Sequence, residues 1–93
     1  MKILLLGSGG REYALALKLR ASAAPVELVS APGSDALAEL GHCVQLDLER
    51  PASVAEWCAV HRPDLVVAGP EVPLVAGVGD AVRALGIPFF GHD

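Results

Sequence analysis

Aromatic side chains are scarce: one tryptophan, one tyrosine and two phenylalanines make up 4% of the 93 residues. The core must therefore be aliphatic, built from leucine, valine and alanine, and extended aromatic platforms for bases are excluded. Basic residues are few, seven Lys and Arg against eleven Asp and Glu, giving a net charge of −4. Nucleic-acid binders usually carry a basic face, so that class is disfavoured. Long apolar runs are lacking. The N-terminal run Ile3 to Leu6 is too short for a signal-peptide core or a membrane span, so the protein is expected to be cytoplasmic, with no membrane partner. There are only two cysteines, Cys43 and Cys58, in apolar surroundings and without metal-ligand spacing to any histidine. They are expected to be a reduced, structural pair. Repeats, low-complexity tracts and linkers are also missing.

What is present is 53% apolar residues, ten glycines and seven prolines. Such a chain hides roughly 60–65% of its unfolded surface on folding, enough for one core. Residues 1–93 are expected to form a single domain, too short for most complete two-substrate enzymes. The charge is uneven. Residues 1–20 carry Lys2, Arg11, Lys18 and Arg20 against Glu12, a local +3, and the rest carries −7. A positive end formed by the first strand, loop and helix would suit a small anion.

Apolar runs alternate with helical patterns. Ile3 to Leu6 reads as a strand buried on both faces, ending in Gly7-Ser8-Gly9-Gly10. Arg11 to Ala21 reads as a helix, with Leu15/Leu19 and Ala14/Leu17/Ala21 at helical spacing and Pro25 ending it. A second strand is expected over 26–29, then turn residues 31–35. A short helix over 36–40 follows, closed by Gly41 as C-cap, and then a third, edge-like strand over 43–46. Pro51 suits a first helical turn. Val54, Trp57, Cys58 and His61 fall on one stripe expected to be buried. Leu65 to Ala68 reads as another doubly buried strand, Leu74 to Leu85 as a helix capped by Gly86, and 87–90 as a last strand. Gly77 and Gly79 weaken that helix by about 1 kcal/mol each relative to alanine; something is expected to pack closely against its first turns, where a ligand or a second domain could approach. The alternation predicts a parallel sheet with right-handed crossovers, in the order 3-2-1-4-5. Ligands then bind beyond the carboxyl ends of the first and fourth strands.

Two loops meet at that point. Gly9 and Gly10 let backbone N–H groups approach an anion at a helix N-terminus, and Arg11 adds a forked donor. The alternative is a tight strand-to-helix turn with a solvated arginine. A dinucleotide fingerprint would require glycine where Glu12 stands, and an acid where Ser30-Ala31-Pro32 ends the second strand. Both departures count against it. Pro70 and Glu71 lie on the stiff loop after the fourth strand, where Glu71 either faces a ligand hydroxyl or amine, or simply favours a helix start. His42, His61 and His92 are unpaired at metal spacing, and Trp57 reads as a core residue. No catalytic residue is identified.

Four motifs in order, Gly7-Ser8-Gly9-Gly10-Arg11-Glu12-Tyr13-Ala14-Leu15, Ala31-Pro32-Gly33, Gly69-Pro70-Glu71-Val72-Pro73-Leu74-Val75-Ala76-Gly77 and Phe90-Gly91, closely resemble the N-terminal domain of the phosphoribosylamine–glycine ligase family, also called glycinamide ribonucleotide synthetase. The resemblance spans essentially the whole chain. It implies a Rossmann-like, three-layer α/β domain of about five parallel strands with helices on both faces. It implies an ATP-dependent carbon–nitrogen ligase of the ATP-grasp type, acting in de novo purine synthesis. ATP would phosphorylate the glycine carboxylate, and the amine of 5-phosphoribosylamine would attack it, giving glycinamide ribonucleotide. Carried over by position, Gly9, Gly10, Arg11 and Glu12 would contact the phosphate–ribose end of 5-phosphoribosylamine, and Pro70 and Glu71 would close the other side. ATP and Mg²⁺ are implied for the complete enzyme and not for this chain; glycine and ATP would be held by ATP-grasp and C-terminal domains outside it. The chain alone is expected to be inactive and the complete enzyme monomeric. Alternatives are a free-standing phosphate- or nucleotide-binding module and a dinucleotide-binding fragment of a dehydrogenase. The sequence departs from the family pattern at Tyr13 (usually histidine), Ser34 (usually asparagine) and His92-Asp93 after Phe90-Gly91 (usually proline and a small polar residue). A polar contact made by that histidine is therefore not carried over.

Overall fold

The computed structural model describes residues 1–7, 10–21, 26–69 and 75–91, without the side chains of residues 10–12, 75 and 76. Five parallel strands form one sheet in the order β3-β2-β1-β4-β5, as expected. They are β1 (Lys2–Gly7), β2 (Glu27–Pro32), β3 (His42–Cys43), β4 (Leu65–Ala68) and β5 (Phe89–Phe90). The helices are α1 (Gly10–Arg20), α2 (Asp35–Ala38), α3 (Pro51–His61) and α4 (Val75–Arg83).

β1 is the centre of the molecule. Its side chains alternate between two cores, Ile3 and Leu5 on one face, Leu4 and Leu6 on the other, and all four are buried. Each contributes roughly 1.5–3 kcal/mol by leaving water. Ala16 of α1 and Leu37 of α2 complete the first core; Val54 and Cys58 of α3, with Val78 and Val82 of α4, complete the second. Helices thus lie on both faces, as right-handed crossovers require when the chain returns past β1 to place β4.

Several boundaries differ from expectation, each for a tertiary reason. β2 runs on to Pro32 because its register with β1 extends to Gly7↔Pro32, and a proline lacking its N–H is tolerated at a strand end. β3 holds only two residues. The Val44 N–H still donates to the Ser30 carbonyl at 2.9 Å, beyond which the chain leaves the edge; Val44, Leu46 and Leu48 pack on the α3–α4 core, so alternation that reads as a strand covers the sheet instead. α2 starts at Asp35, with the Leu37 N–H donating to the Ser34 hydroxyl at 3.2 Å, and its C-cap is Glu39 in a right-handed conformation (φ −74°). Gly41 is therefore no cap. It is needed because a Cβ there would collide with the Leu28 carbonyl oxygen and sit 2.9 Å from the Leu28 Cβ.

α3 begins with Pro51 at its first turn. Of its expected buried stripe, Val54 and Cys58 are buried and Trp57 is half-buried, but His61 is exposed and stacks on Trp57 (centroids 4.2 Å apart, 16° between planes). On α1 the sheet-facing residue is Ala16, flanked by half-buried Leu15 and Leu19, whereas Ala14, Leu17 and Ala21 face solvent. α4 ends at Arg83, short of Leu85, so Gly86 (φ +79°) is not its immediate cap but closes a left-handed turn three residues on, its N–H donating to the Arg83 carbonyl at 2.9 Å. Ile87 precedes β5 and is buried without being part of it. β4 buries Val66 and Ala68 fully and Leu65 and Val67 only partly, so it is doubly covered on one face alone. Pro25 and Leu74 lie outside the described residues.

Candidate site at the carboxyl ends of β1 and β4

The parallel pairing Leu6↔Ala68 sets the carboxyl ends of β1 and β4 side by side. The Gly69 N–H donates to the Leu6 carbonyl at 3.1 Å, which carries the pairing one residue beyond β4. The two loops expected to converge therefore leave adjacent strands, about 4.8 Å apart. α1 begins at Gly10, only three residues beyond the end of β1, so its unpaired N–H groups and positive dipole end stand at this rim. Gly10, Arg11 and Glu12 occupy its first turn. The side chains of Arg11 and Glu12, and all of Gly9, Pro70 and Glu71, lie outside the described residues.

The charge map requires a correction. Lys2 sits at the opposite, amino rim. Its backbone N–H donates to Asp64 Oδ2 at 2.7 Å, and its Nζ donates to the His61 carbonyl at 3.2 Å, 3.9 Å from Glu27 Oε2. Arg20 donates to the Val26 carbonyl at 3.1 Å, and both Lys18 and Arg20 are in the last turn of α1. An eleven-residue helix is about 16 Å long, so these cations are remote from the glycine loop. Strand and helix of a βα unit run antiparallel, which returns the two ends of the unit to one rim. Of the four cations in residues 1–20, only Arg11 belongs to the first turn of α1, in the same turn as Glu12.

The strand end where a dinucleotide site would carry an acid begins with Ser30, 1% exposed, whose hydroxyl has no hydrogen-bond partner among the described residues. Its burial was not anticipated, since a serine inside an apolar stretch carries no distinct periodic signal. Gly77 and Gly79 do have close neighbours, and those described belong to this domain: Pro51 beside Gly77, and Phe89 beside Gly79.

Both cysteines are free. Cys58 is buried, and burial pushes its thiol from the usual 9.0 up to about 11, with Arg62 acting weakly in the other direction. Cys43, in contrast to expectation, is exposed on the edge strand, its Sγ 3.7 Å from the Ser34 carbonyl. His42 and His61 are exposed and His92 is outside the described residues. Among the described residues no three His, Cys, Asp or Glu side chains could hold a metal ion, and no helix is long and apolar enough to cross a membrane. A cavity of about 450 Å³ opens at the amino rim between Arg20, Glu27, Leu28, Leu40 and His42, away from both loops and from the sheet end where such folds bind ligands.

Residues 1–93 match the family model "Phosphoribosylglycinamide synthetase, N domain" along their whole length. The chain belongs to this family. It is 50% identical over 91 residues to the phosphoribosylamine–glycine ligase of Rhizobium meliloti (strain 1021), covering 98% of this chain and 22% of that protein. It is 48% identical over 93 residues to that of Corynebacterium ammoniagenes, again over 98% of this chain and 22% of the other. The trifunctional purine biosynthetic protein adenosine-3 of Chironomus tentans is 40% identical over 95 residues, 97% of this chain and 7% of that protein. The chain thus spans about a fifth of the length of the single-function ligases and corresponds to their N-terminal domain.

Two solved structures share the fold. Apo saccharopine dehydrogenase from Saccharomyces cerevisiae superposes with a TM-score of 0.73 at 17% identity, over 97% of this chain and 21% of that one. The C-terminal domain of PF1911 hydrogenase from Pyrococcus furiosus does so with a TM-score of 0.68 at 19% identity, over 98% and 90%. At such identities they speak for the Rossmann-like architecture alone.

Proposed function

We propose that this domain forms the phosphoribosylamine-holding wall of a phosphoribosylamine–glycine ligase. The observation that carries this reading is the β1–β4 adjacency, extended by the Gly69–Leu6 hydrogen bond, in a chain of this family. It brings the carboxyl end of β1, which leads into α1, beside the end of β4, after which Pro70 and Glu71 follow in the sequence. The Gly9 and Gly10 amides and the forked guanidinium of Arg11 bind the phosphate–ribose end. Glu12 accepts hydrogen bonds from that end, and Pro70 and Glu71 close the opposite side.

The contribution of these residues is positional. Fixing the phosphoribosyl group places its amine against the activated glycine carboxyl and removes the translational freedom of a bimolecular encounter. The complete protein is read as an ATP-dependent carbon–nitrogen ligase of the ATP-grasp type, using Mg²⁺, cytoplasmic and monomeric. Activation of glycine belongs to regions outside this chain, and the chain alone is inactive.

Steady-state kinetics of the complete ligase test this. A charge-assisted hydrogen bond contributes about 1.5–3 kcal/mol. Arg11→Ala should therefore raise the KM for phosphoribosylamine about 10- to 150-fold, with the KM for ATP and glycine within about twofold. An unchanged phosphoribosylamine KM refutes the assignment of Arg11.

A further inference from the structure

We infer that Cys43 is a positioning residue of the phosphoribosylamine site, acting through the turn Pro32-Gly33-Ser34 that joins β2 to α2. The inference rests on reading this domain as the phosphoribosylamine-holding wall. β1 has two neighbours at its carboxyl end. β4 stands on one side, and on the other the register Gly7↔Pro32 brings the end of β2 level with the last residue of β1. From Gly7 the chain reaches the first turn of α1 within three residues. Whatever fixes Pro32 therefore fixes the point from which the backbone of Gly10, Arg11 and Glu12 sets out.

Cys43 fixes it from β3. The ladder pairs Ser30↔Cys43, and the Val44 N–H donates to the Ser30 carbonyl at 2.9 Å, so the backbone at Cys43 is tied to β2. Ser30 is also the register partner of Leu5, which belongs to the core shared with α1 and α2. Register partners place their side chains on one face of a sheet, so Cys43 lies on the α2 side, under the turn. Its thiol donates to the Ser34 carbonyl, with Sγ at 3.7 Å. Gly33 rests directly on it. The glycine has φ +76°, and a Cβ there would collide with Cys43 Sγ and lie 3.1 Å from Cys43 Cβ and 3.3 Å from Ser30 Cβ. A turn with no room for a methyl group has no room to settle inward. The thiol is thus a spacer, and its size sets where Gly33 stands, and with it Pro32 and the end of β1.

α2 does not depend on this contact. It is anchored by the buried Leu37 and by the Ser34 hydroxyl, which accepts from the Leu37 N–H. Cys43 itself is exposed and belongs to neither buried core. Substitution there consequently separates the position of the turn from the stability of the fold.

Kinetics and urea unfolding of the complete ligase are compared for Cys43→Ser, Cys43→Ala and Cys43→Leu, with Arg11→Ala alongside. Serine keeps a small donor for the Ser34 carbonyl and should hold kcat/KM for phosphoribosylamine within about twofold of the unsubstituted enzyme. Leucine forces branched carbons against Gly33 and lifts the turn. A displacement of about 1 Å costs on the order of 100-fold, so Cys43→Leu should lower that kcat/KM about 10- to 100-fold. The KM values for ATP and glycine should stay within about twofold. Alanine removes the spacer without adding bulk and should cost about threefold or more, which keeps the test open if the leucine variant folds poorly. A merely structural role would lower the urea midpoint without singling out one substrate. Unchanged kcat/KM for phosphoribosylamine in Cys43→Ala and Cys43→Leu, or equal losses for all three substrates, overturns the inference. Arg11→Ala judges the functional reading separately, since an impaired Arg11→Ala enzyme beside normal Cys43 variants removes only the role of Cys43.

Discussion

Gly79→Ala and Gly77→Ala make the same chemical change two residues apart in α4, and the structure assigns them opposite signs. In a helix interior, alanine is favoured over glycine by about 1 kcal/mol, part of it from reduced freedom of the unfolded chain. At Gly79 a Cβ would lie 2.8 Å from Phe89 Cε1 and 2.9 Å from its Cδ1. Carbon–carbon contacts are comfortable at about 3.5–4.0 Å, so the overlap approaches an ångström. The Phe89 ring cannot easily retreat: it is 7% exposed and packed in the core with Val66 and Val82. The Arg83 guanidinium lies 5.2 Å from its centroid, and the Phe89 carbonyl accepts from Arg83 Nη2 at 3.3 Å. Overpacking costs about 1–3 kcal/mol, and a disturbed cation–π contact about 0.5–1 kcal/mol more. The steric term wins, and Gly79→Ala should destabilise by about 1–2 kcal/mol. Gly77 is exposed, and among the described residues a Cβ there meets only Pro51, its Cγ at 3.3 Å, which a shift of a few tenths of an ångström relieves. The propensity term then wins, and Gly77→Ala should stabilise by about 0.5 kcal/mol. Urea unfolding followed by Trp57 fluorescence and far-ultraviolet circular dichroism reads both changes, as midpoint shifts at constant m. A Gly79→Ala protein as stable as Gly77→Ala would refute the close α4–β5 packing.

Three further outcomes follow from single side chains. Cys58 ionises near 9.0 when unfolded and near 11 when folded, so above pH 9 the unfolded state holds fewer protons and stability falls as pH rises. The loss should reach about 2–3 kcal/mol by pH 11; pH-dependent unfolding of Cys58→Ala should lack that component, and an identical profile would exclude the buried thiol as its source. Ser34→Ala removes the cap of α2 and should cost about 1 kcal/mol in thermal unfolding, whereas Ser34→Asn, another good N-cap, should be neutral within about 0.5 kcal/mol. Ser30→Ala deletes a buried hydroxyl without a partner among the described residues and should stabilise the fold by about 1 kcal/mol, with a loss of stability in calorimetry showing that the hydroxyl is satisfied after all.

The strand ends that frame the candidate site were legible where their signal is local. Glycines between an apolar run and a helical pattern mark where β1 gives way to α1, and the alternation of patterns predicts that β4 lies beside it. The distribution of charge was not legible, because Lys2, Lys18 and Arg20 are close to Arg11 in sequence yet belong to the other rim. Nor was the exposure of Cys43 or His61. Spacing gives the face of an element, while exposure depends on what stands opposite.

The order of elements, the parallel sheet, the doubly buried β1 and the family are properties of the sequence alone. They rest on hydrophobic period, turn chemistry and ordered motifs, which act over a few residues each. Tertiary structure decided the rest. β3 ends after two residues because Val44, Leu46 and Leu48 gain more by covering the α3–α4 core, and Gly41 is required by the Leu28 backbone, thirteen residues away and adjacent only after folding. β4, as apolar as β1, leaves Leu65 and Val67 only half-buried at the margin of the α1 core, because burial depends on the layer that stands opposite and not on the strand's own composition.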